Sequence, residues 1–223
     1  MPSPMRIIGI TTLVFDFDGT LATCPLDFAQ MRRVVLETAL SHGINPTRLG
    51  NLGLLETIEV GVELLGPEQL RSAAFREEAT HRLSALEYEA AAQTELLPGV
   101  VAALGKLRRA GFRLGIVTRN SAAAVRRIIG DSQLPFDAIL CREDVRQPKP
   151  HPAHVREMLQ LLHAQPETSL MVGDHPMDIE MGHAAGMRTV AVLTGQSDEA
   201  ALSAVHPDLL LQNVLVLVEM LVG

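Results

Sequence analysis

A chain of 223 residues, 47% hydrophobic and 20% charged, is long enough for one domain, or one domain with an insert, and apolar enough to exclude wholesale disorder. A formal net charge of −7, with 3% aromatic residues and no tryptophan, argues against nucleic acid as a partner, because acidic surfaces repel phosphate backbones and base stacking needs aromatic platforms. Two distant cysteines, Cys24 and Cys141, fit a reducing compartment better than a disulfide scaffold.

The N-terminal stretch MRIIGITTLVFDFDGTLATC has an early arginine and an apolar run. Asp16 and Asp18 interrupt it where a signal peptide would stay apolar. The C-terminal LLLQNVLVLVEMLVG is too short and interrupted to span a bilayer. The expectation is a soluble, cytoplasmic protein with no membrane partner.

Residues 11–17 (TTLVFDF) read as a buried strand, β-branched and aromatic, stopped by Asp-Gly. From Pro25 to about Gln93 the pattern turns helical. Phe28, Met31, Val35 and Ala39 recur at three- and four-residue steps before Gly43, and Pro67 stands at the first position of a second helix. No strand pattern occurs there. Beyond residues 96–99 (LLPG) strands and helices alternate. Strands are predicted at 112–118, 136–141, 169–173, 188–193 and near 208–211. Helices are predicted at 100–110, 121–129, 152–164, 177–185 and from about 213. Continuous apolar strands separated by helices imply a parallel sheet covered on both faces. The predicted architecture is an α/β, Rossmann-like core formed by residues 1–21 and 95–223, with an α-helical insert at 22–94.

Asp16 and Asp18 lie two positions apart at the end of the first strand, and alternate strand positions point to one side. Like charges that close call for a cation, although Asp-Gly after a strand is also an ordinary turn. In open parallel sheets ligands bind at the carboxyl ends of the strands. Those ends carry the polar residues of interest. Thr118, Arg119 and Asn120 follow FRLGIV, and Lys149 lies in RQPKPHP after FDAILC. Asp174 follows SLMVG, with Asp178 four residues on. Singly, each has a structural reading. Thr118 fits a strand end, Asn120 and Ser121 fit helix caps, Lys149 fits a solvated loop, and Asp174 fits a capped turn. In this order and at one sheet edge, they point to one site.

DFDGT, a strand-ending Thr, a Lys before a helix and GDHPMD after a strand together resemble the haloacid dehalogenase superfamily, over nearly the whole chain. KPHP, VGDHPMDIEMGHAAGMRTVAVLTG and the helical insert are similar to its phosphoglycolate phosphatase-like subgroup. The resemblance implies Asp16 as a nucleophile that forms an aspartyl-phosphate, and Asp18 as the acid and then the base. It implies Mg²⁺ held by Asp16, the backbone carbonyl of Asp18 and Asp174, with Asp178 in support. It assigns Thr118 and Lys149 to the phosphoryl oxygens and makes the insert a cap over small substrates. Arg119 replaces a small polar residue often seen after that threonine, and fits either a substrate contact or a surface position. Arg32, Arg33 and Arg48 fit a second anionic group or a solvated helix. His151 and His175 read as loop residues rather than ligands.

Elementary electrostatics leads to the same cofactor. A phosphate dianion would be repelled by four aspartates, and hard oxygen ligands suit Mg²⁺. One Mg²⁺ and one lysine bring about three positive charges. The helix beginning near Ser121 adds free N–H groups.

The expected function is a Mg²⁺-dependent phosphatase of a small phosphorylated metabolite, such as phosphoglycolate or a sugar phosphate, acting as a monomer or homodimer. A phosphomutase with the same nucleophile is the first alternative, and a non-catalytic binding protein the second. Dehalogenases of this superfamily lack a carboxylate matching Asp18, and phosphonate hydrolysis uses a cap lysine. Residues 22–95 contain no lysine.

Overall fold

The computed structural model describes residues 9–66 and 69–223. The early arginine, Arg6, and Pro67 lie outside them. The chain divides into two compact units, one running to Cys24 and resuming at Thr94–Gly223, the other Pro25–Gln93.

The first unit opens with β1 (Thr12–Phe15), buried throughout. The chain then passes through the second unit, α1 (Phe28–Ser41), α2 (Leu54–Leu65) and α3 (Gln69–Ala90). It returns with α4 (Val100–Arg109), β2 (Arg113–Val117), α5 (Ala122–Ile129) and β3 (Ala138–Leu140). The remainder is α6 (Ala153–Leu161), β4 (Ser169–Gly173), α7 (Pro176–Ala185), β5 (Arg188–Val192), α8 (Glu199–Ala204), β6 (Leu209–Leu211) and α9 (Val214–Val222).

All strand pairs are parallel, in the order β3-β2-β1-β4-β5-β6. The direction of winding reverses at β1, the topological position where such sheets open a crevice. Both faces are apolar. Leu13 and Phe15 join Leu114, Ile116, Leu170, Val172 and the α4 and α9 residues Leu104, Leu107 and Leu217 in one core. Val14 and Met171 point the other way, into a core with Val155, Met158 and Met181 of α6 and α7. This two-sided burial accounts for strands that read as continuous apolar runs rather than as alternating ones.

The helical unit has its own core of Met31, Val35, Ala39, Ile58, Phe75 and Leu83. Phe28, expected on that face, is instead 46% exposed. It is the first residue of α1, and helical side chains lean toward the N-terminus, so its ring projects past the helix end. Asp27 caps α1 by accepting the Gln30 N–H at 2.9 Å. Arg32 donates to the carbonyls of Gly50 and Leu52 at 2.6 and 2.8 Å, which commits its guanidinium to bracing a loop of its own unit. Arg33 and Arg48 are exposed.

The short helix α8, capped by Asp198, had no counterpart in the sequence reading. Its six residues bury only Leu202, too little for a helical period to register. Among the described residues, no helix is long and apolar enough to cross a membrane.

Candidate active site

Parallel register levels the strand ends. Phe15 is paired with Ile116 on β2 and with Val172 on β4. Asp16 continues the ladder, its N–H donating to the Val172 carbonyl at 2.8 Å. Asp16, Thr118 and Asp174 each follow the last residue of a central strand, and so meet at one edge. Lys149 enters from the loop after β3. Its peptide N–H donates to His154 Nδ1 at 3.1 Å. That bond makes Nδ1 the acceptor, so Nε2 carries the proton and donates to the Leu140 carbonyl at 3.2 Å. The buried His154 ring thus ties the lysine loop to the end of β3. Asp178 lies in the first turn of α7 and accepts the His175 N–H at 3.2 Å, a cap that fixes its carboxylate.

Asp16, Asp174 and Asp178 are all buried, and each offers a carboxylate oxygen within 4.8 Å of the others. The Lys149 ammonium, 3% exposed, donates to Asp16 Oδ1 and, at 2.8 Å, to Asp178 Oδ1. Thr20 Oγ1 donates to Asp174 Oδ1 at 2.9 Å. Two glycines make room for that carboxylate. Gly19 turns the chain at φ +84, and a Cβ at either Gly19 or Gly195 would overlap Asp174. Thr194 Oγ1 donates to the Gly19 carbonyl at 2.6 Å, holding the two loops together. Asp18 takes other partners. Its carboxylate accepts from Thr118 Oγ1 at 3.2 Å and from Asn120 Nδ2 at 3.1 and 3.3 Å.

Four acids share one lysine, and their proton affinities reflect it. Burial pushes Asp16 up to about 6, with Lys149 opposing and Asp174 adding to the rise. Burial and the neighbouring Asp16 raise Asp18 to about 7. Asp174 rises to about 6 through burial and Asp178. Burial raises Asp178 to about 6 against the pull of Lys149. Burial disfavours the Lys149 ammonium, but Asp16 and Asp178 outweigh it and hold the group above its ordinary value. Burial lowers His154 to about 4, with the Lys149 charge adding to the effect. The cluster therefore holds more buried negative charge than Lys149 neutralises. Three hard carboxylates converging within one ion's reach could hold a divalent cation, and their oxygen donors fit a hard ion.

Of the residues singled out in the sequence, Asp16, Asp18, Thr118, Lys149, Asp174 and Asp178 converge through these bonds. Arg119 lies beside them in the chain. Its Nη1 lies 3.8 Å from Met177 Sδ, and its carbonyl accepts from Arg142 at 2.9 Å. His151 and His175 use Nδ1 to accept nearby backbone N–H groups. Thr20, His154 and Gly195 escaped the sequence reading as site residues. The sequence places Asn120, two positions past Thr118, at the same sheet edge, with a helix cap as its only predicted role.

The sequence profile of the haloacid dehalogenase-like hydrolases matches residues 13–192. Pyrophosphatase PpaX of Bacillus cereus is 39% identical over 111 residues, 49% of this chain and 51% of its own. The chain thus spans about half the length of the curated relatives it matches. A haloacid dehalogenase-like hydrolase from Bacteroides fragilis superposes with TM-score 0.66 at 26% identity, covering 93% of this chain and 99% of that one. CbbY from Rhodobacter sphaeroides, crystallised with phosphate, gives TM-score 0.63 at 27% identity over 93% and 96% of the two chains. A hydrolase from Pseudomonas syringae gives TM-score 0.71 at 19% identity over 94% and 96%, a likeness of fold. The chain belongs to the haloacid dehalogenase-like hydrolases.

Proposed function

We propose that this haloacid dehalogenase-like hydrolase is a Mg²⁺-dependent phosphatase of small phosphorylated metabolites, with Asp16 as nucleophile. One observation carries the reading. Two aspartates two residues apart have opposite surroundings, Asp16 against Lys149 in the cation-binding cluster, and Asp18 on the neutral donors Thr118 and Asn120. Carboxylate pairs set apart in this way divide nucleophilic from acid–base work.

Asp16, Asp174 and the Asp18 backbone carbonyl would hold the ion, with Asp178 in support. A bound divalent cation would offset the surplus negative charge and give a phosphoryl oxygen a second positive partner. Asp16 attacks phosphorus as the bond to the leaving oxygen breaks, and Asp18 gives that oxygen its proton. Asp18, now a carboxylate, takes a proton from the incoming water. The water oxygen attacks phosphorus, the bond to Asp16 breaks, and phosphate leaves. Lys149 and Thr118 steady the phosphoryl oxygens, so catalysis is chiefly positioning and charge stabilisation. We assign the helical unit the part of a cap that reads the leaving group and limits water.

The test is phosphate release from p-nitrophenyl phosphate, 2-phosphoglycolate, pyrophosphate and sugar phosphates. Pyrophosphate is included because the Bacillus relatives are pyrophosphatases, and xylulose 1,5-bisphosphate because CbbY was crystallised with it. Release should require Mg²⁺ and vanish in Asp16→Asn. Undiminished release in that variant or in EDTA contradicts the reading, and a hexose bisphosphate formed without free phosphate indicates a phosphomutase.

A further inference from the structure

Asn120 is 5% exposed, in the loop between β2 and α5. A polar side chain there would ordinarily cap the helix. Here Ser121 is the cap, its side chain accepting the Ala124 N–H at 3.4 Å. The Asn120 amide is instead turned the other way and pinned. Its Oδ1 accepts the Ser121 N–H at 2.8 Å, which leaves Nδ2 facing the Asp18 carboxylate and rules out the flipped amide. Its own N–H donates to Thr118 Oγ1 at 3.0 Å, and that hydroxyl donates to Asp18 at 3.2 Å. Two donors from one loop thus grip the carboxylate, each oriented by a further hydrogen bond.

We propose that Asn120 is a positioning residue that holds the Asp18 carboxylate in the place from which it passes a proton to the leaving group. The inference rests on the phosphatase reading above. Asn120 touches no reacting atom, and its effect is exerted through Asp18. Loss of its amide frees the carboxylate to rotate about its side-chain bonds, and a proton donor out of reach loses much of its worth. The deficit depends on how much the leaving oxygen needs a proton. A phenolate needs one far more than a p-nitrophenolate, while the two esters are nearly the same shape.

The experiment compares kcat/KM for phenyl phosphate and p-nitrophenyl phosphate, with Mg²⁺, in the wild type, Asn120→Ala, Asn120→Asp and Asp18→Asn. Asn120→Asp keeps the side-chain shape and the acceptor for Ser121 but sets a repelling carboxylate oxygen against Asp18 in place of the donor, and it carries the test if Asn120→Ala fails to fold. Both Asn120 variants should lose about 10²-fold on phenyl phosphate and only a few-fold on p-nitrophenyl phosphate, with the same split, larger, in Asp18→Asn. Equal losses on both esters, or no loss in either Asn120 variant while Asp18→Asn shows the split, overturn the proposal and leave the phosphatase reading standing. Activity that survives Asp16→Asn overturns both.

Discussion

Replacing Lys149 by methionine isolates the charge balance of the cluster. The ammonium is 3% exposed and faces carboxylates that are 6% and 0% exposed, Asp16 and Asp178. Removing one member of such a buried pair typically costs about 3–5 kcal/mol, because the remaining charge is left uncompensated. The scale agrees with the proton affinities. Even with Lys149 present, the rise of Asp178 from 3.8 to about 6 corresponds to about 3 kcal/mol against its charged form. These acids bind protons more readily in the native than in the unfolded chain. Stability therefore falls as pH rises through their folded values, from the window between 3.8 and about 6 in the wild type and higher in the variant. Urea unfolding in EDTA should show Lys149→Met about 3–5 kcal/mol less stable at pH 8, with the deficit shrinking toward pH 5.5 as the carboxylates take up protons. Millimolar Mg²⁺ at pH 8 should recover part of it. A deficit that does not change with pH, or none at pH 8, would refute the assignment of Lys149 as the cluster's compensating charge.

Two further outcomes follow from the loops around the site. His154 is neutral in the fold and lowered from 6.5 to about 4, so the unfolded chain binds the extra proton and stability drops as pH falls through that window. In unfolding titrations the wild type should lose up to about 3 kcal/mol relative to His154→Gln between pH 6.5 and 4, and parallel curves would remove this group from the acid response. Gly195→Ala would drive a methyl into the Asp174 side chain, which must be displaced from its place beside Asp16 and Asp178. Mg²⁺ affinity, read by thermal shift, should weaken about 10–100-fold while the metal-free midpoint also falls, and unaltered affinity would show that Asp174 does not need that wall.

The sheet was legible because its strands are buried on both sides. Val14 and Phe15, or Met171 and Val172, face opposite cores, and so the sequence presents unbroken apolar runs that helices separate. The carboxylates were legible for a related reason. Asp16, Asp18 and Asp174 stand at the ends of apolar strands, where a charge has no packing purpose. What supports them was not legible. Thr20 reaches Asp174 across 154 residues, and Asn120 reaches Asp18 across 102, contacts that only the parallel register creates. His154 sits on the buried face of α6 with Val155 and Met158 and looks like any core residue until its ring is seen between Lys149 and Leu140. Gly195 acts by lacking a side chain, and in the sequence it is one loop glycine among many. Arg119 follows the strand-ending threonine directly, yet its guanidinium lies against Met177, a direction set by side-chain rotamers that no spacing encodes.

In the proposed mechanism Asp16 is the group that takes the phosphoryl. Rapid mixing with Mg²⁺ and p-nitrophenyl phosphate, followed by acid quench and borohydride, converts an aspartyl-phosphate into the corresponding alcohol, which peptide mass spectrometry locates. Reduction at Asp16, dependent on substrate and absent in Asp16→Asn, is the predicted result. Phosphate release with no reduction at Asp16, or with reduction at another carboxylate, would contradict it.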